Sequence, residues 1–583
     1  MDEQLIAQGL KGLFAHRGQF IILGLTGRTG SGCTTAASLL TKSFDDLRLE
    51  PVAFPLTTAE QRKHRVIHEF AEKNWHPFME VSVTLTIVTF VLEANAQALE
   101  SFLKTHIKDG DKRAAMMVEI ARVRTEWEKV RCVLDRDRKK VPDEAQAYLD
   151  FVEHELRNLL GVFRTALGTN YASAFQAFGD NLRASGNVLD DSFSPDAFFT
   201  LPLRVGEIVV ALRELQISLD KPARVVIDAL RNPFEIEYYR QRFASFFLLA
   251  VTTEDEDRRS RLVSLNLNAA EISKLDSKEY PAENKPLAGV SQFVSQNIQA
   301  CLEKADIFVH NPGSASQGNV ADFHQITQQL VTFVSLMQHP GLTTPTKVER
   351  CMQIAYSAKA NSGCISRQVG ATITDDSFSV KAVGWNDVPA GQISCLFRKA
   401  TDVLSGNDKE AFSDYELKDK RFREHLDGRY KRFSVVAAEG RPSAYCFKSE
   451  YNALEYPKMK GNQVHTRSLH AEENAFLQLS KYGGAAIAGG FLFSTASPCE
   501  LCSKKAYQLG ITRIFYIDPY PGISLTHILG AGPESKRPKL ALFSGAVGQA
   551  FHRLYGPLLP YKDEVEVFLS LPKEAPAKQP APG

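Results

Sequence analysis

The sequence predicts an α/β protein of two domains: a parallel-sheet domain carrying a helical insertion, then a smaller domain with α/β/α layering. Three observations predict it. At 583 residues the chain exceeds what one hydrophobic core serves. Its first half alternates short apolar runs with long helical patterns, as a parallel sheet covered on both faces requires. Its second half restarts with new short strands after "SLMQHPGLTTPTKVER" (335–350), a junction holding two prolines and a glycine. The reading is a first domain over 1–335, a second over 336–570 and a Pro/Ala-rich disordered tail over 571–583.

The first domain opens with "FIILGLTGRTGSGCTTAASLLTKSF" (20–44), which reads as a buried strand, a Gly-rich turn and a helix. "RVVIDAL" (224–230), "FASFFLLAVTT" (243–253) and "ADIFVHNPG" (305–313) read as three further buried strands. From Met116, apolar residues recur at 116, 120, 123, 127, 130 and 134, a coiled-coil-like seam on a charged helix. Pro142 breaks it, and Tyr148, Phe151, Val152, Leu156, Leu159 and Phe163 mark a second helix. The expectation is a helical hairpin over about 100–165, either packed on itself or forming an oligomer interface.

The Gly-rich turn, Gly27-Arg28-Thr29-Gly30-Ser31-Gly32-Cys33-Thr34, has the form Gly-x-x-x-x-Gly-x-Thr. Glycines let backbone N–H groups turn towards a phosphate at a helix N-terminus. The lysine such loops carry for phosphoryl transfer is replaced by Cys33, whose neutral thiol has no equivalent charge. Thr34 and Asp228, at the end of "VVID", are candidates to hold Mg2+, and Arg28 is a candidate replacement charge. Three readings stay open: nucleotide binding without efficient transfer, a purely structural turn, and an active kinase.

The second domain starts with the short strands "QVGATIT" (368–374) and "VKAVGWND" (380–387). A charged, aromatic insertion follows over about 400–465. It holds His425, Cys446 and His465, with Cys395 just before, and leaves a second zinc site open. Then come "HAEENAFLQL" from His470 and "GGFLFSTASPCELC" ending at Cys502. Zinc takes soft or borderline ligands in a tetrahedron, and a catalytic zinc keeps one position for water. His470, Cys499 and Cys502 supply three ligands. Cys499 and Cys502 stand three apart and share a helix face. Ser497 is the expected cap of that helix and Pro498 its first-turn residue, so the cysteines sit where the helix dipole favours thiolate. Glu472, two residues after His470, points in a different direction and need not be a ligand; a carboxylate beside zinc-bound water can take its proton, while a structural zinc would need Glu472 or a distant cysteine as a fourth ligand.

Composition excludes several classes. The 69 basic and 68 acidic residues nearly cancel, so no global basic excess advertises nucleic acid. The nine cysteines lack regular spacing apart from 499 and 502, which reads as reduced thiols rather than a disulfide framework. "MDEQLIAQGLKG" has no signal-peptide pattern, and "VSVTLTIVTFVL" (81–92) is too short to span a bilayer. The expectation is a cytoplasmic protein with no membrane partner.

The His-x-Glu…Pro-Cys-x-x-Cys pattern resembles the signature of zinc-dependent nucleobase deaminases. The second domain resembles the deoxycytidylate deaminase branch of the cytidine deaminase superfamily. "AYSAKANSGCISRQVGATIT" (355–374) is similar to that branch's opening helix and strand, and "AVGWNDVPAG" (382–391) to its Gly-Tyr-Asn-Gly segment, with Trp385 and Asp387 as departures. The resemblance implies that Asn386 contacts the sugar or base, Arg367 lies near a phosphate, the Ala471 backbone holds the pyrimidine and Tyr520, in "YIDPYPG", lines the pocket. The first domain resembles a P-loop kinase-like fold, with "TTEDEDRRSRL" (252–262) similar to an arginine-bearing lid. Together the halves resemble bacterial anti-phage dCTP/dCMP deaminases, in which a P-loop kinase-like domain precedes a deaminase domain. That resemblance implies dCTP depletion during phage infection, Zn2+, a nucleotide effector with Mg2+ at the P-loop, a homo-oligomer and inhibition by a small RNA. A single-strand editing deaminase and a housekeeping dCMP deaminase stand as alternatives; a nucleotide sensor with an inactive deaminase domain is a third.

Overall fold

The computed structural model of the chain describes residues 2–52, 54–135, 137, 139–265, 267–279, 289–312, 324–430, 439–456, 463–483, 486–518 and 524–569. They form two compact units, divided between Thr344 and Pro345 and again between Gly548 and Gln549.

The first unit is built on five parallel strands: β1 (Phe20–Thr26), β2 (Met79–Ser82), β3 (Ala223–Asp228), β4 (Phe246–Thr252) and β5 (Ile307–His310). They lie in the order β5-β4-β1-β3-β2. β3 and β4 are buried at every position, as continuous apolar runs covered on both faces should be. The sequence reading missed β2 and the helix after it, Val83–Glu93. That helix lacks an amphipathic period because nearly all of it is buried. Ser82 caps it by accepting from Leu85 N–H, and the Thr86 and Thr89 hydroxyls bond back to the Ser82 and Thr86 carbonyls at 3.0 and 2.7 Å, so its polar groups need no water.

The predicted hairpin is part of a larger helical block between β2 and β3. The seam helix runs Gly110–Val130 and ends before Pro142, which instead opens the next helix, Pro142–Phe151. Met116, Ile120, Val123 and Trp127 are buried. Trp127 donates to Glu93 at 3.2 Å and packs on Phe151, with ring centroids 5.7 Å apart. The seam is therefore closed within its own unit, and of the two accounts offered for it the structure shows self-packing.

The expected boundary at 335/336 falls inside the helix His324–Gln338, and residues 549–569 join the first unit rather than the second. Specific contacts hold them there. Arg553 donates to the carbonyls of Ala244 and Phe246, and Glu564 meets His339 at 2.7 Å.

The second unit contains β6 (Gly370–Thr374), β7 (Val380–Trp385), β8 (Phe491–Ala496), β9 (Arg513–Asp518) and β10 (Lys539–Leu542), in the order β10-β9-β8-β6-β7. β6 is antiparallel to β7 and β8, whereas β8, β9 and β10 are parallel. Two glycines set the layers. Gly370 pairs with Trp385 and Ala371 with Gly384, so the two glycines face opposite sides of the sheet. A Cβ on Gly370 would lie 1.9 Å from the Ala355 carbonyl oxygen, and one on Gly384 2.2 Å from that of Ala471. Helix Lys347–Ala358 thus covers one face and helix Ala471–Tyr482 the other, the expected α/β/α arrangement. The insertion before the second helix has its own core of Ala400, Val403, Phe412, Phe422, Leu426 and Tyr445. No helix among the described residues is long and apolar enough to cross a membrane.

Candidate functional site

Helix Ala471–Tyr482 can approach β7 closely because residue 384 has no side chain, and this positions His470 at its N-cap. The His470 N–H is 3.4 Å from the Glu473 carboxylate, which Lys505 pairs in turn. From the other side, β8 delivers Ser497, Pro498 and Cys499. Cys499, not Ser497, is the N-cap, and the helix runs Glu500–Gln508. The Pro498 carbonyl instead accepts from the Ser503 and Ser524 hydroxyls, at 3.3 and 2.9 Å.

His470 Nδ1 lies 3.3 Å from Cys499 Sγ and 3.5 Å from Cys502 Sγ, and all three ligand atoms fall within 4.8 Å of one another. No other such group of three occurs among the described residues. His425, considered for a second zinc, pairs with Glu450 at 2.9 Å. His465 stacks on Tyr456, and Cys395 and Cys446 line a pocket. One nitrogen and two sulfurs, with no fourth protein ligand among the described residues, fit a zinc ion that keeps one position open. The Cys499 thiol is drawn down to about 4, first by its hydrogen bond with the Cys502 thiol and also by His470, against the opposing effect of burial. Cys502 is held well above the usual thiol range by the same hydrogen bond and by burial. The pair thus carries a shared negative charge at a helix N-terminus, suited to a cation.

Glu472 is 4% exposed, and burial pushes its carboxyl above the ordinary range. The Ser494 hydroxyl, on β8, donates to its Oε1 at 3.0 Å. Sequence reading missed Ser494, although the adjacent hydroxyls of Ser494 and Thr495 inside the apolar run "FLFSTA" were its signal. Glu472, His470, Ala471 and Cys499 line one pocket together with Asn386 and Arg367. Asn386 donates to the Arg367 carbonyl at 2.7 Å and accepts from Val369 N–H at 2.6 Å, so its amide braces the segment that carries Arg367. Arg367 pairs with the buried Asp518. Tyr520 lies outside the described residues. The pocket also takes Lys448 from the insertion and Arg467 from just before helix Ala471–Tyr482, two cations the sequence reading did not single out.

Residues 345–518 match the model of the cytidine and deoxycytidylate deaminase zinc-binding region. The second unit carries a deoxycytidylate deaminase-like domain. The deoxycytidylate deaminases of Enterobacteria phages T2 and T4 are each 29% identical over 184 residues, 30% of this chain and 81% and 79% of theirs. ComE operon protein 2 of Bacillus subtilis (strain 168) is 41% identical over 54 residues, 9% of this chain and 28% of its own. The crystal structure of the dCMP deaminase from cyanophage S-TIM5 in apo form aligns at 20% identity and a TM-score of 0.20, covering 34% of this chain and 100% of that one.

The Gly-rich turn of the first unit forms with Gly30 and Gly32 in left-handed conformations, at φ +89° and +107°. Thr34 donates to Asp228 at 3.1 Å. Burial, with the charge of Glu80, pushes Asp228 up to about 6, and burial, with Asp228, pushes the Cys33 thiol up to about 12. Arg28 does not stand in for the missing lysine. It turns to Asp255 and Asp276, at 2.9 and 2.7 Å. The buried Glu279 carboxylate accepts from Thr29 N–H at 2.9 Å and pairs with Arg231 at 3.1 Å. The lid-like segment forms the helix Asp255–Ser264, whose Arg258 and Arg261 donate to the Thr29, Gly30 and Ser31 carbonyls at 3.3 Å. Ser31 also accepts from Asn311, at 2.7 Å.

Proposed function

We propose that the second unit is a zinc-dependent hydrolytic deaminase that converts deoxycytidine nucleotides, dCMP or dCTP, to the corresponding deoxyuridine nucleotides. The observation that carries this reading is the buried Glu472 carboxylate in one pocket with His470 and Cys499, whose ligand atoms cluster with the Cys502 sulfur. His470 Nδ1 and the two cysteine sulfurs hold the zinc, which when bound supplies Lewis-acid activation of water. Glu472 takes a proton from the attacking water and delivers it to the pyrimidine ring nitrogen. It then moves the second water proton to the amino group, so that the bond from the ring carbon to the amine breaks, ammonia leaves and the water oxygen, now bonded to that carbon, remains as the new carbonyl. Burial, which raises its proton affinity, suits that exchange, and Ser494 fixes its orientation. Lys448 and Arg467 give the rest of the pocket the positive charge that a nucleotide phosphate needs, beside Arg367, whose own charge is paired with Asp518.

The wider reading is depletion of dCTP in anti-phage defence, regulated by a nucleotide with Mg2+ at the Gly-rich turn of a P-loop kinase-like first unit, in an oligomer. The Thr34–Asp228 pair and the five-stranded parallel order support a nucleotide site there. The Glu279 carboxylate on Thr29 N–H supports regulation, because an incoming phosphate must displace it. The test is a substrate panel on purified protein: dCMP, dCTP, CTP, deoxycytidine and a cytosine-bearing single-stranded oligonucleotide, with and without added nucleotides. Uracil products from the free deoxynucleotides alone are expected. Conversion of the oligonucleotide alone overturns the reading in favour of editing.

A further inference from the structure

The first unit has an open cleft of about 520 Å³ at the end of its sheet remote from the Gly-rich turn. β1 leaves the sheet into that turn after Thr26, whereas the cavity is lined by Phe20 and Ile21 at the start of β1 and by 242–245 just before β4. Four guanidinium groups, those of Arg17, Arg213, Arg242 and Arg553, share its wall with His16, and among the described residues no carboxylate lines it. They come from four separate helices, so no single element's composition explains their meeting. Nor does global charge, since basic and acidic residues balance across the chain.

The arginines here differ from those around the Gly-rich turn, where Arg28 and Arg258 meet carboxylates. Arg17, Arg213 and Arg242 make no hydrogen bond or ion pair with any described residue. Arg213 lies over the Phe20 ring at 4.7 Å. Arg553 lies over Phe247 at 3.8 Å and is held by the Ala244 carbonyl at 2.8 Å. Asp306 attracts Arg553 but is itself paired with Arg240 at 3.1 Å. Burial draws Arg17 below the usual guanidinium range. It does the same to Arg553, with Arg17 and Arg240 adding repulsion. Like charges gathered around one cleft repel each other, and a multiply charged anion relieves that repulsion.

We propose that this cavity is an anion site that binds the phosphate groups of a small polyphosphate, either a nucleoside triphosphate or an inorganic polyphosphate. Guanidinium forks match phosphate oxygens in pairs, and several forks around one cavity recognise adjacent phosphates together. The volume falls within the ordinary range of small-ligand sites. The Phe20 and Phe247 faces are already covered by Arg213 and Arg553, so recognition falls on the phosphates rather than on a stacked base.

The test is titration calorimetry on the full chain with sodium tripolyphosphate, with dATP and with a single-stranded oligonucleotide. The variant is Arg213→Ala/Arg242→Ala; both side chains are exposed, and the variant should melt as the wild type does. Saturable binding of tripolyphosphate, weakened at least about tenfold in the variant, is expected. For the binding that the variant weakens, tighter binding of dATP than of tripolyphosphate assigns the natural ligand as a nucleotide, and equal binding assigns it to the phosphates alone; both support the site. No saturable tripolyphosphate binding, or equal affinity in variant and wild type, overturns it. Binding of the oligonucleotide alone also overturns it, in favour of a nucleic-acid surface.

Discussion

Replacing Gly384 by alanine pushes a methyl group into the backbone of the helix that carries His470 and Glu472. The new carbon would lie 2.2 Å from the Ala471 carbonyl oxygen, 2.5 Å from Ala475 N and 2.9 Å from Ala475 Cβ. Ordinary contact is roughly 3.5 Å, so the helix must retreat by on the order of 1 Å. Backbone offers no rotamer by which to yield. Overpacking of this kind costs about 3 kcal/mol, the upper part of its usual range. The chemistry suffers more than the stability. His470 and the two cysteines stand on different helices, and metal–ligand distances tolerate only about 0.2 Å. The assay is zinc content after gel filtration, paired with thermal melting. The second unit's transition is identified as the one that chelation lowers. Gly384→Ala should lower it by roughly 6–12 °C and release most of the zinc. Wild-type zinc content with a wild-type transition would refute the reasoning, because it would mean that the close approach does not position the ligand helix.

Other residues carry separate expectations. Asp228 titrates at about 6 in the folded chain against an ordinary 3.8, so it binds its proton more tightly when folded and costs stability as pH rises through that window. Asp228→Asn should therefore gain up to about 3 kcal/mol at pH above 7 and progressively less as pH falls towards 4; a gain independent of pH would count against it. Glu416 is buried against Arg398 and accepts the Tyr445 hydroxyl, so Glu416→Ala should cost about 3–5 kcal/mol in chemical denaturation, whereas a loss below about 1 kcal/mol would deny the pair its structural role. Ser494→Ala removes the hydroxyl that orients Glu472 and should lower kcat by roughly tenfold with zinc retained; an unchanged kcat would show the hydrogen bond to be idle.

The parts of the molecule that were legible in the sequence depend on near neighbours. β1, β3, β4 and β5 announce themselves as apolar runs, because strands covered on both faces need nothing else. The proposed metal ligands show in the local spacings His-x-Glu and Cys-x-x-Cys, and the cap was misplaced by two residues because Ser497, a good capping residue by type, is part of the turn that precedes the helix. What was hidden depends on tertiary partners. Helix Val83–Glu93 is rich in β-branched residues and has no polar face. The return of 549–569 to the first unit rests on Arg553 and Glu564, whose partners are over two hundred residues away. Asn386 was assigned to a ligand from its neighbours' pattern, while its amide is engaged with the backbone at 367 and 369. Lys448 reaches the pocket from an inserted element with its own core, which no short motif marks.

The most direct test of the account is Glu472→Gln, a substitution that keeps the shape of the side chain and removes its ability to carry a proton. Zinc per chain and uracil formation from dCMP and dCTP are measured on the same preparation. The account predicts wild-type zinc and a loss of turnover of at least about a thousandfold. Retained turnover, or zinc lost in step with activity, would contradict the assignment of Glu472 as the proton carrier beside a three-ligand metal site.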